Sequence, residues 1–380
     1  MSELTNASSR DKQFLWQLLN TASALVLIGA AGTVSVAKAA EDDRPTVWIE
    51  LGGALQRVGT SEERYAPPFL SQTPRPGPET IDPLSVGHLP RSAFEGEGKI
   101  TFQPEGSSWS FSAAARFGRS KAHQSLHQQS QASGPVAQPP AGSPIYQTIF
   151  EYIDTTKTSS ENHTVLDFQV GKDVGLGLFG KGLSTFNLGV RFAQFNAKSS
   201  TTFGSDPNAA QYIQTFQLFP GYTFAVLTGS VYELHRAAAA ASRKFHGIGP
   251  SLSWNNSTPL VGSEPDGEIV LDWGVNAALL FGRQTADIHH QSMSLHNGRG
   301  VARITSYPDP GTDRHRSRSL AVPNVGGFAG VTYRLQNLKI SVGYRADLFF
   351  GAMDGGLDTR RTEDEKFYGP FATVSIGLGG

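Results

Sequence analysis

The chain of 380 residues contains no cysteine. This absence excludes a disulfide scaffold, catalysis by a thiol and any metal site built from thiolate ligands. Charged side chains are also scarce, at 17% of residues, where about 25% is usual for a soluble protein. The formal net charge of -1 gives no sign of a nucleic-acid partner, and we expect none.

A continuous apolar run occurs only near the start of the chain. Arg10 and Lys12 precede this run, which ends in the small-residue motif at positions 37–39. A basic region, an apolar region and such a cleavage motif are typical of a secretory signal peptide, whereas a membrane anchor would need about 20 apolar residues. We therefore expect residues 1–39 to be a signal peptide and residues 40–380 to form one exported domain.

Most of the remaining chain alternates between apolar and polar residues. In the stretch 109–117 the odd-numbered residues are apolar or small, while Ser110, Ser112 and Arg116 occupy even positions. Strict alternation predicts a β-strand, because successive side chains point to opposite faces. The pattern recurs at 47–55, 166–170, 186–192, 269–281 and 372–378. These strands are mostly about 9 to 14 residues long, and a tilted strand that crosses a bilayer needs about 9 to 11.

The links between the predicted strands are alternately long and short. The short turns are expected at 104–107, 171–182, 255–267 and 336–337, and the longer links at 59–93, 120–145, 198–242, 283–322 and 351–366. This rhythm is typical of bacterial outer-membrane barrels, which have short periplasmic turns and long external loops. It predicts ten strands. The link 198–242 could add a hairpin, giving twelve strands, or hold a short helix at 231–241, where alanines favour a helix.

The predicted fold is all-β: a transmembrane antiparallel β-barrel of 10–12 strands with short periplasmic turns and long external loops. In lipid every backbone N–H and C=O must be paired, and a sheet achieves this only by closing on itself. A secreted β-sandwich is the alternative. It explains the alternation equally well, but neither the long strands nor the regular order of the links.

Five stretches of the C-terminal half share their patterns with a known family. They are FHGIGPSLSW (245–254), LDWGVNAALLFG (271–282), GGFAGVTYRL (326–335), ISVGYRADLFFGAMDGG (340–356) and YGPFATVSIGLG (368–379). They resemble the pore-forming major outer-membrane proteins of the Legionella type, as does 166–195 more loosely. The resemblance implies a porin of the bacterial outer membrane that passes small solutes or ions, without catalytic residues. Outer-membrane lipid and the barrel-assembly machinery are the expected partners, an oligomer is possible, and no cofactor is expected.

Charged residues fall on the strand face that would point into the barrel. They are Arg116, Asp167, Arg191, Asp272, Arg334, Lys339, Arg345 and Asp347. Rings of charge set ion preference in channels, so these are the candidate pore-lining residues, and their excess of cations favours anions. The alternative is a packed interior in which Arg and Asp side chains pair and plug the barrel, as side chains do in barrels of about eight strands.

The stretch VTYRLQNLKISVGYRADLF (331–349) shows the predicted sidedness most clearly. A tight turn at positions 336–337 would join two strands. Val331 and Tyr333 would then face lipid, whereas Arg334 and Lys339 would face the lumen.

Histidines form two groups in the predicted long links. They are His123 with His127, and His289 and His290 with His296. Neither group has a strand or helix signal that would fix the geometry of metal ligands, so we expect solvated histidines and no metal site.

The sequence predicts passive diffusion through a barrel and no enzymatic activity. One alternative is a barrel that serves mainly in surface adhesion, using Pro-, Gln- and Ser-rich links such as 59–93. A second is a hydrolase at the barrel rim, with His163 and Asp167 near one strand end. The chain has no G-x-S-x-G motif, and serine with histidine is expected by chance at this length, which disfavours the hydrolase.

Overall fold

The computed structural model of the chain describes residues 47–59, 64–65, 84–85, 91–136, 145–175, 182–219, 222–263, 266–297, 304–356 and 359–379. These residues belong to one compact unit, Arg44–Gly380. The predicted signal peptide lies outside the described residues and stays a prediction. In the described part of the chain, no helix is long and apolar enough to cross a membrane.

Ten strands form a closed antiparallel barrel in the order β1-β12-β11-β10-β9-β8-β7-β6-β5-β4, and β2 and β3 form a separate two-stranded sheet. The strands are β1 (Val47–Gly59), β2 (Arg64–Tyr65), β3 (Leu84–Ser85), β4 (Arg91–Phe102), β5 (Trp109–Val136), β6 (Ile145–Asp173), β7 (Leu183–Phe219), β8 (Tyr222–Ser263), β9 (Gly267–Asn297), β10 (Ile304–Leu335), β11 (Leu338–Asp354) and β12 (Thr362–Leu378). The predicted all-β transmembrane barrel is confirmed, with ten strands.

Strand β1 closes the barrel by pairing on both of its edges. Trp48 is opposite Thr101 of β4 on one side and Gly377 of β12 on the other. Every barrel strand therefore has two neighbours over this part of its length, so the backbone groups are paired within the sheet. This is the condition that a lipid environment imposes on a spanning sheet.

The short turns lie together at one end of the barrel, which we call the turn end; the opposite end is the loop end. The turn at Gln336 and Asn337 is confirmed, since Leu335 is directly opposite Leu338. Gln336 adopts a φ of 32°, in the left-handed region. Strand β8 continues to Ser263, so the turn before β9 is shorter than the sequence predicts.

The three longest links predicted after β4 are not loops. Residues 120–145, 198–242 and 283–322 mostly continue the strands as paired hairpins. The alternatives within 198–242 are also wrong: it adds no extra barrel strands, and 231–241 is part of β8 and not a helix. Alanine's helix propensity is a weak preference, and here hydrogen bonds to strands on both sides of β8 outweigh it.

The barrel wall has two heights. Strand β5 pairs with β4 only as far as Ser120, and β10 pairs with β11 only from Asn324. Strands β5 to β10 therefore continue beyond the loop end of the other four strands. We call β5 to β10 the tall strands, and the paired segments beyond that level the tall hairpins. Strand β7 has 37 residues, or roughly 120 Å of extended chain at about 3.3 Å per residue, far more than a bilayer crossing requires.

The outer face of the barrel is apolar, as the alternation predicts. Phe94 and Leu51 are 72% and 66% exposed, and many other large apolar residues of the outward phase are also exposed. In the hairpin of β10 and β11, Val331 and Tyr333 are exposed, whereas Arg334 and Lys339 lie on the inward phase and are only partly exposed. This apolar outer band is the surface that hydrocarbon chains cover in outer-membrane barrels.

Candidate functional site

The lumen next to the turn end is polar and partly open to water. We call this region the vestibule; its charged side chains include those of Glu50, Lys99, Glu268, Asp272, Arg334 and Lys339, and each of these residues is partly exposed. Inward-pointing alternate residues of β1, β4, β9, β10 and β11 supply them. A water-accessible wall of both charge signs can bind and pass hydrated ions or polar solutes.

Side chains within the vestibule hold one another in place. Lys339 Nζ lies 3.5 Å from the ring centroid of Trp48, a close cation–π contact. Arg334 Nη2 donates to Ser257 Oγ at 3.1 Å, and Nη1 is 3.5 Å from Glu268 Oε2. The vestibule charges are therefore positioned by neighbouring strands and do not extend freely into the lumen.

Further from the turn end, charged side chains pair across the lumen. Arg116 Nη1 donates to Asp347 Oδ2 at 2.6 Å. Arg345 donates from both terminal nitrogens to the Glu97 carboxylate, at 2.7 and 3.0 Å. Such two-pronged Arg–carboxylate contacts are among the stronger hydrogen bonds in proteins.

Arg191 on β7 connects four strands. Its Nε and Nη2 donate to the two oxygens of Asp167, at 2.7 and 3.1 Å. Its Nη1 donates to Oδ1 of Asn276 at 2.7 Å and to Oδ1 of Asn324. The guanidinium thus spans β6, β7, β9 and β10, and it narrows the lumen at this level.

A second buried group surrounds His163. Its Nε2 is 2.9 Å from Glu95 Oε2, and its Nδ1 is 3.9 Å from Glu161 Oε1. Gln56 Nε2 also donates to Glu95, at 2.9 Å. Gly118 makes room for the ring, because a methyl group at that position would overlap it.

An apolar layer crosses the lumen beside the ion pairs; we call it the aromatic layer. Phe195 is central to it, with ring centroids 4.7 Å from Phe349, 5.6 Å from Phe367 and 5.8 Å from Phe245. Smaller apolar side chains fill the same layer, among them those of Val58, Ala93, Val165, Leu280 and Val322. Nearly the full circumference of the barrel contributes, and the rings are almost fully buried, so the lumen is closed at this level.

The last residues of β11 and the two that follow it cover the layer on the loop side. The pairing of β11 with β12 shifts between Phe349 and Met353, and Gly351 adopts a φ of 66°, which glycine reaches without steric cost. Residues 351–354 are buried as a result. We call residues 351–356 the closing segment.

Inward side chains of three tall strands hold the backbone of the closing segment. Gln284 Nε2 donates to the Ala352 carbonyl at 2.9 Å, and Arg316 Nη2 donates to the Gly356 carbonyl at 2.7 Å. Arg243 Nη2 is 3.4 Å from the Gly355 carbonyl. These side-chain hydrogen bonds add to the pairing of Met353 and Asp354 with β12.

Asp354 holds the same segment from within. Its Oδ1 accepts the backbone N–H of Gly356 at 3.1 Å and that of Arg361 at 3.0 Å. Its Oδ2 accepts Arg316 Nε at 2.9 Å. One buried carboxylate therefore joins the bend of the segment to β10.

All eight sequence-predicted lumen residues lie on the inward phase of their strands. Each of the eight has a partner: Arg116 with Asp347, Arg191 with Asp167, Arg334 with Glu268, Arg345 with Glu97, Asp272 with Thr332 and Lys339 with the Trp48 ring. Their role in lining a conducting pore stays a prediction.

Sequence reasoning missed several inward carboxylates. Glu95 and Glu97 are two residues apart on β4, and Glu50, Glu268 and Glu161 have the same inward phase on their own strands. The alternation already contained this signal. With these acids included, the lumen has no clear excess of cations, and the basis for the predicted anion preference disappears.

The histidines of the long links occupy strands, which corrects their predicted loop setting. His127 Nδ1 is 2.6 Å from Asp154 Oδ1 across β5 and β6, and both side chains are exposed. His289 pairs with Asp313 across β9 and β10. His296 lies outside the side chains that the structure describes. Among those described, no three His, Asp or Glu side chains are arranged to hold a metal ion.

His163 and Asp167 have separate partners within the lumen. His163 faces Glu95 and Glu161, whereas Asp167 accepts from Arg191. His163 is 3% exposed. The pair suggested for a rim hydrolase is therefore not assembled into a serine-containing site at the rim.

Comparisons with known proteins give only distant likenesses. No family model matches the chain, and no curated protein matches it. The transport unit of the autotransporter AIDA-I from Escherichia coli has a TM-score of 0.21 and 8% identity, over 91% of this chain and 94% of that one. The beta domain of the Bordetella autotransporter BrkA has a TM-score of 0.16 and 7% identity, over 88% and 100%.

A third solved structure is similar at the same level. The Ralstonia pickettii toluene transporter TbuX has a TM-score of 0.17 and 10% identity, over 88% of this chain and 90% of that one. Likenesses this weak carry no argument about function. The chain is assigned as a closed barrel of outer-membrane architecture on its own strand pairing and apolar outer band.

Proposed function

We propose that this protein is a channel of the bacterial outer membrane for small solutes or ions, and that the described conformation is its closed state. The observation that carries the proposal is the vestibule. Charged inward side chains, including those of Glu50, Lys99 and Lys339, remain partly exposed on the turn side of the paired arginines. A solute path requires such a wall.

A barrel that acted only as an anchor would be expected to have a lumen packed with apolar side chains along its whole length. Protein interiors are close-packed, and filling a lumen with apolar side chains stabilises the fold. In this barrel the large apolar side chains of the lumen are concentrated in the aromatic layer and the adjoining loop side. The turn side is polar, and although Thr332 and Ser375 are buried there, its charged side chains remain partly exposed. A polar turn side with partly exposed charges favours transport over a purely structural role.

The closing segment supports the existence of an open state. It is held by hydrogen bonds from Gln284 and Arg316 to backbone carbonyls, and by the Asp354 carboxylate. The segment also pairs with β12 at Met353 and Asp354. A net hydrogen bond contributes about 0.5–1.5 kcal/mol, so releasing these few contacts at the end of a strand costs less than opening the closed sheet. Ala352 and Met353 of the segment are packed in the same buried cluster as the rings of the aromatic layer, so movement of the segment would loosen the layer that closes the lumen.

Single-channel recording in planar bilayers tests this proposal. We expect small, infrequent openings for the wild-type protein, and an open fraction at least several-fold higher for Asp354→Ala, which releases the bend of the segment. The matched control is Asp313→Ala, which removes an exposed carboxylate paired with His289 outside the lumen. If neither wild type nor Asp354→Ala conducts, the channel proposal is overturned.

A role in surface attachment is the second candidate. It is favoured by β5 and β10, each of which continues beyond the shorter strands of the barrel. In that part, each pairs with a described strand along one edge only: β5 with β6, and β10 with β9. Such an edge can accept a strand from another protein. Deletion of residues 125–156, which removes most of the one-sided stretch of β5 with its partner on β6, would then weaken cell binding and leave conductance unchanged.

A further inference from the structure

The outer face of the tall strands changes character sharply on the loop side of the apolar band. The last apolar row of directly paired outward residues is Ala115, Leu166, Phe192, Ile248, Phe281 and Ala321. The next rows are almost entirely polar. The second of them reads Arg119, Asn162, Asn196, Lys244, Thr285 and Ser317.

Cations are concentrated in these first polar rows. We call the set the basic belt: Arg119, Lys121, Lys198, Lys244 and Arg283, on β5, β7, β8 and β9. All five point outward; Lys244 is partly exposed and the other four are exposed. On the low side of the wall, Arg57 of β1 and Lys366 of β12 are also outward and exposed near the same border. The belt therefore extends around much of the circumference.

The turn side of the apolar band lacks a comparable set. Its outward residues are largely aromatic or aliphatic, such as Trp109, Trp254 and Leu335. Among the described outward residues there, Lys172 is the cation, and its Nζ lies 5.2 Å from the ring centroid of Trp109. The two borders of the band thus differ in charge.

We propose that the basic belt binds the phosphate groups of anionic lipid headgroups in the leaflet at the loop end. Outward positions in successive rows are about 7 Å apart along a strand, so the belt begins where hydrocarbon gives way to headgroups. Arginine and lysine donate several charge-assisted hydrogen bonds to phosphate oxygens. Burial of the apolar band in a membrane is a condition of this proposal, whereas conduction through the lumen is not.

The distribution of the belt favours lipid over a protein ligand. A docked protein covers one side of a barrel, and its cationic contacts would be expected to cluster there. The belt instead includes strands around the wall, from β5 through β9 and, with Arg57 and Lys366, to β1 and β12. A leaflet surrounds the barrel in the same way.

Lipid titration followed by native mass spectrometry in detergent tests the proposal. The probe is phosphatidylglycerol, with phosphatidylcholine of the same acyl chains as the neutral comparison. The test variant carries Arg119→Gln, Lys121→Gln, Lys198→Gln, Lys244→Gln and Arg283→Gln. We expect wild type to retain phosphatidylglycerol at a concentration at least tenfold lower than the variant requires, with phosphatidylcholine retained equally by both.

The single variants Lys244→Gln, in the belt, and Lys172→Gln, at the turn end, form the matched pair. Lys244→Gln should weaken retention of phosphatidylglycerol and Lys172→Gln should not; this comparison also holds if the fivefold variant does not fold. Equal retention by wild type and Lys244→Gln, or an equal loss in both single variants, would overturn the proposal. Failure of wild type to insert into phosphatidylcholine vesicles would instead contradict the membrane assignment itself.

Discussion

The guanidinium of Arg116 and the carboxylate of Asp347 are 231 positions apart in the chain, yet Nη1 and Oδ2 are 2.6 Å apart in the lumen. Only 9% and 2% of the two side chains are exposed. The two residues belong to β5 and β11, which are not neighbours in the sheet. The pair therefore joins opposite parts of the wall across the interior.

Breaking this pair from one side is expected to destabilise the barrel. Asp347→Ala leaves the Arg116 charge buried without its partner, and such losses lower the free energy of unfolding by about 3–5 kcal/mol. The double variant Arg116→Met with Asp347→Leu should recover most of that loss. The stability of both variants is measured by urea unfolding in detergent, in which folded and unfolded barrels are distinguished by their electrophoretic mobility. Equal stability of the single and double variants would contradict the pairing.

The room that Gly118 leaves for His163 gives a second prediction. Gly118→Ala places a methyl group against the imidazole ring, which must move away from Glu95 and disturb the buried group. We expect a loss of roughly 1–3 kcal/mol in the free energy of unfolding, as for an overpacked interior. Gly96→Ala on β4 is the control, because a methyl group there meets no atom within 4 Å.

A third prediction concerns the centre of the aromatic layer. Phe195 is fully buried, and Phe→Ala substitutions at such sites cost about 3–5 kcal/mol. Phe195→Ala should therefore lower the urea midpoint strongly and increase conductance by thinning the layer. Leu188→Ala, on the outward face of the same strand and 60% exposed, should have a much smaller effect on the midpoint and none on conductance. A similar effect of both changes would show that Phe195 is not packed as described.

The fourth prediction separates the charge of Arg191 from its shape. Lysine keeps the charge, but it cannot bridge Asp167, Asn276 and Asn324 simultaneously. Hydrogen bonds to charged groups contribute about 1.5–3 kcal/mol each, so Arg191→Lys should lower the unfolding free energy by at least that amount. Arg283→Lys is the comparison; its guanidinium is exposed and donates to Ser317 at 2.8 Å, and we expect almost no change.

The membrane-spanning part of the barrel was predictable because one physical rule governs it. Apolar residues alternate with polar ones wherever lipid covers one face, so the phases of strands such as β9 and β12 follow directly from the sequence. The tight turn at Gln336 and Asn337 also follows, because apolar alternation stops and restarts within two residues.

The tall hairpins could not be predicted by the same rule. Beyond the membrane both faces of a strand can be polar, so residues such as Ser160, Lys198 and Ser242 carry no alternation, although they are directly paired. Cross-strand hydrogen bonds stabilise these segments, with a small buried cluster of Ala241, Ala286 and Ile288 on the inward face. The resemblance to Legionella-type porins is not supported by any family match and stays a prediction.

The closing segment and the aromatic layer depend on long-range packing. Phe195, Phe245 and Phe349 occupy the inward phase, where the sequence predicts polar residues, and only the closed barrel brings their rings together. The inward turn of the chain at Gly351 depends on hydrogen bonds from distant strands. Neither feature has a local sequence pattern.

The most direct test of the account compares adjacent residues on β11. Because the chain has no cysteine, a spin label can be attached at Val342→Cys or Ser341→Cys alone in bilayer-reconstituted protein. The measurement is the collision rate with oxygen, which concentrates in lipid, and with a water-soluble nickel chelate. We predict that the label at position 342 collides mainly with oxygen and the label at 341 with the chelate. The reverse pattern, or chelate access at both positions, would contradict a lipid-facing exterior around a water-accessible vestibule.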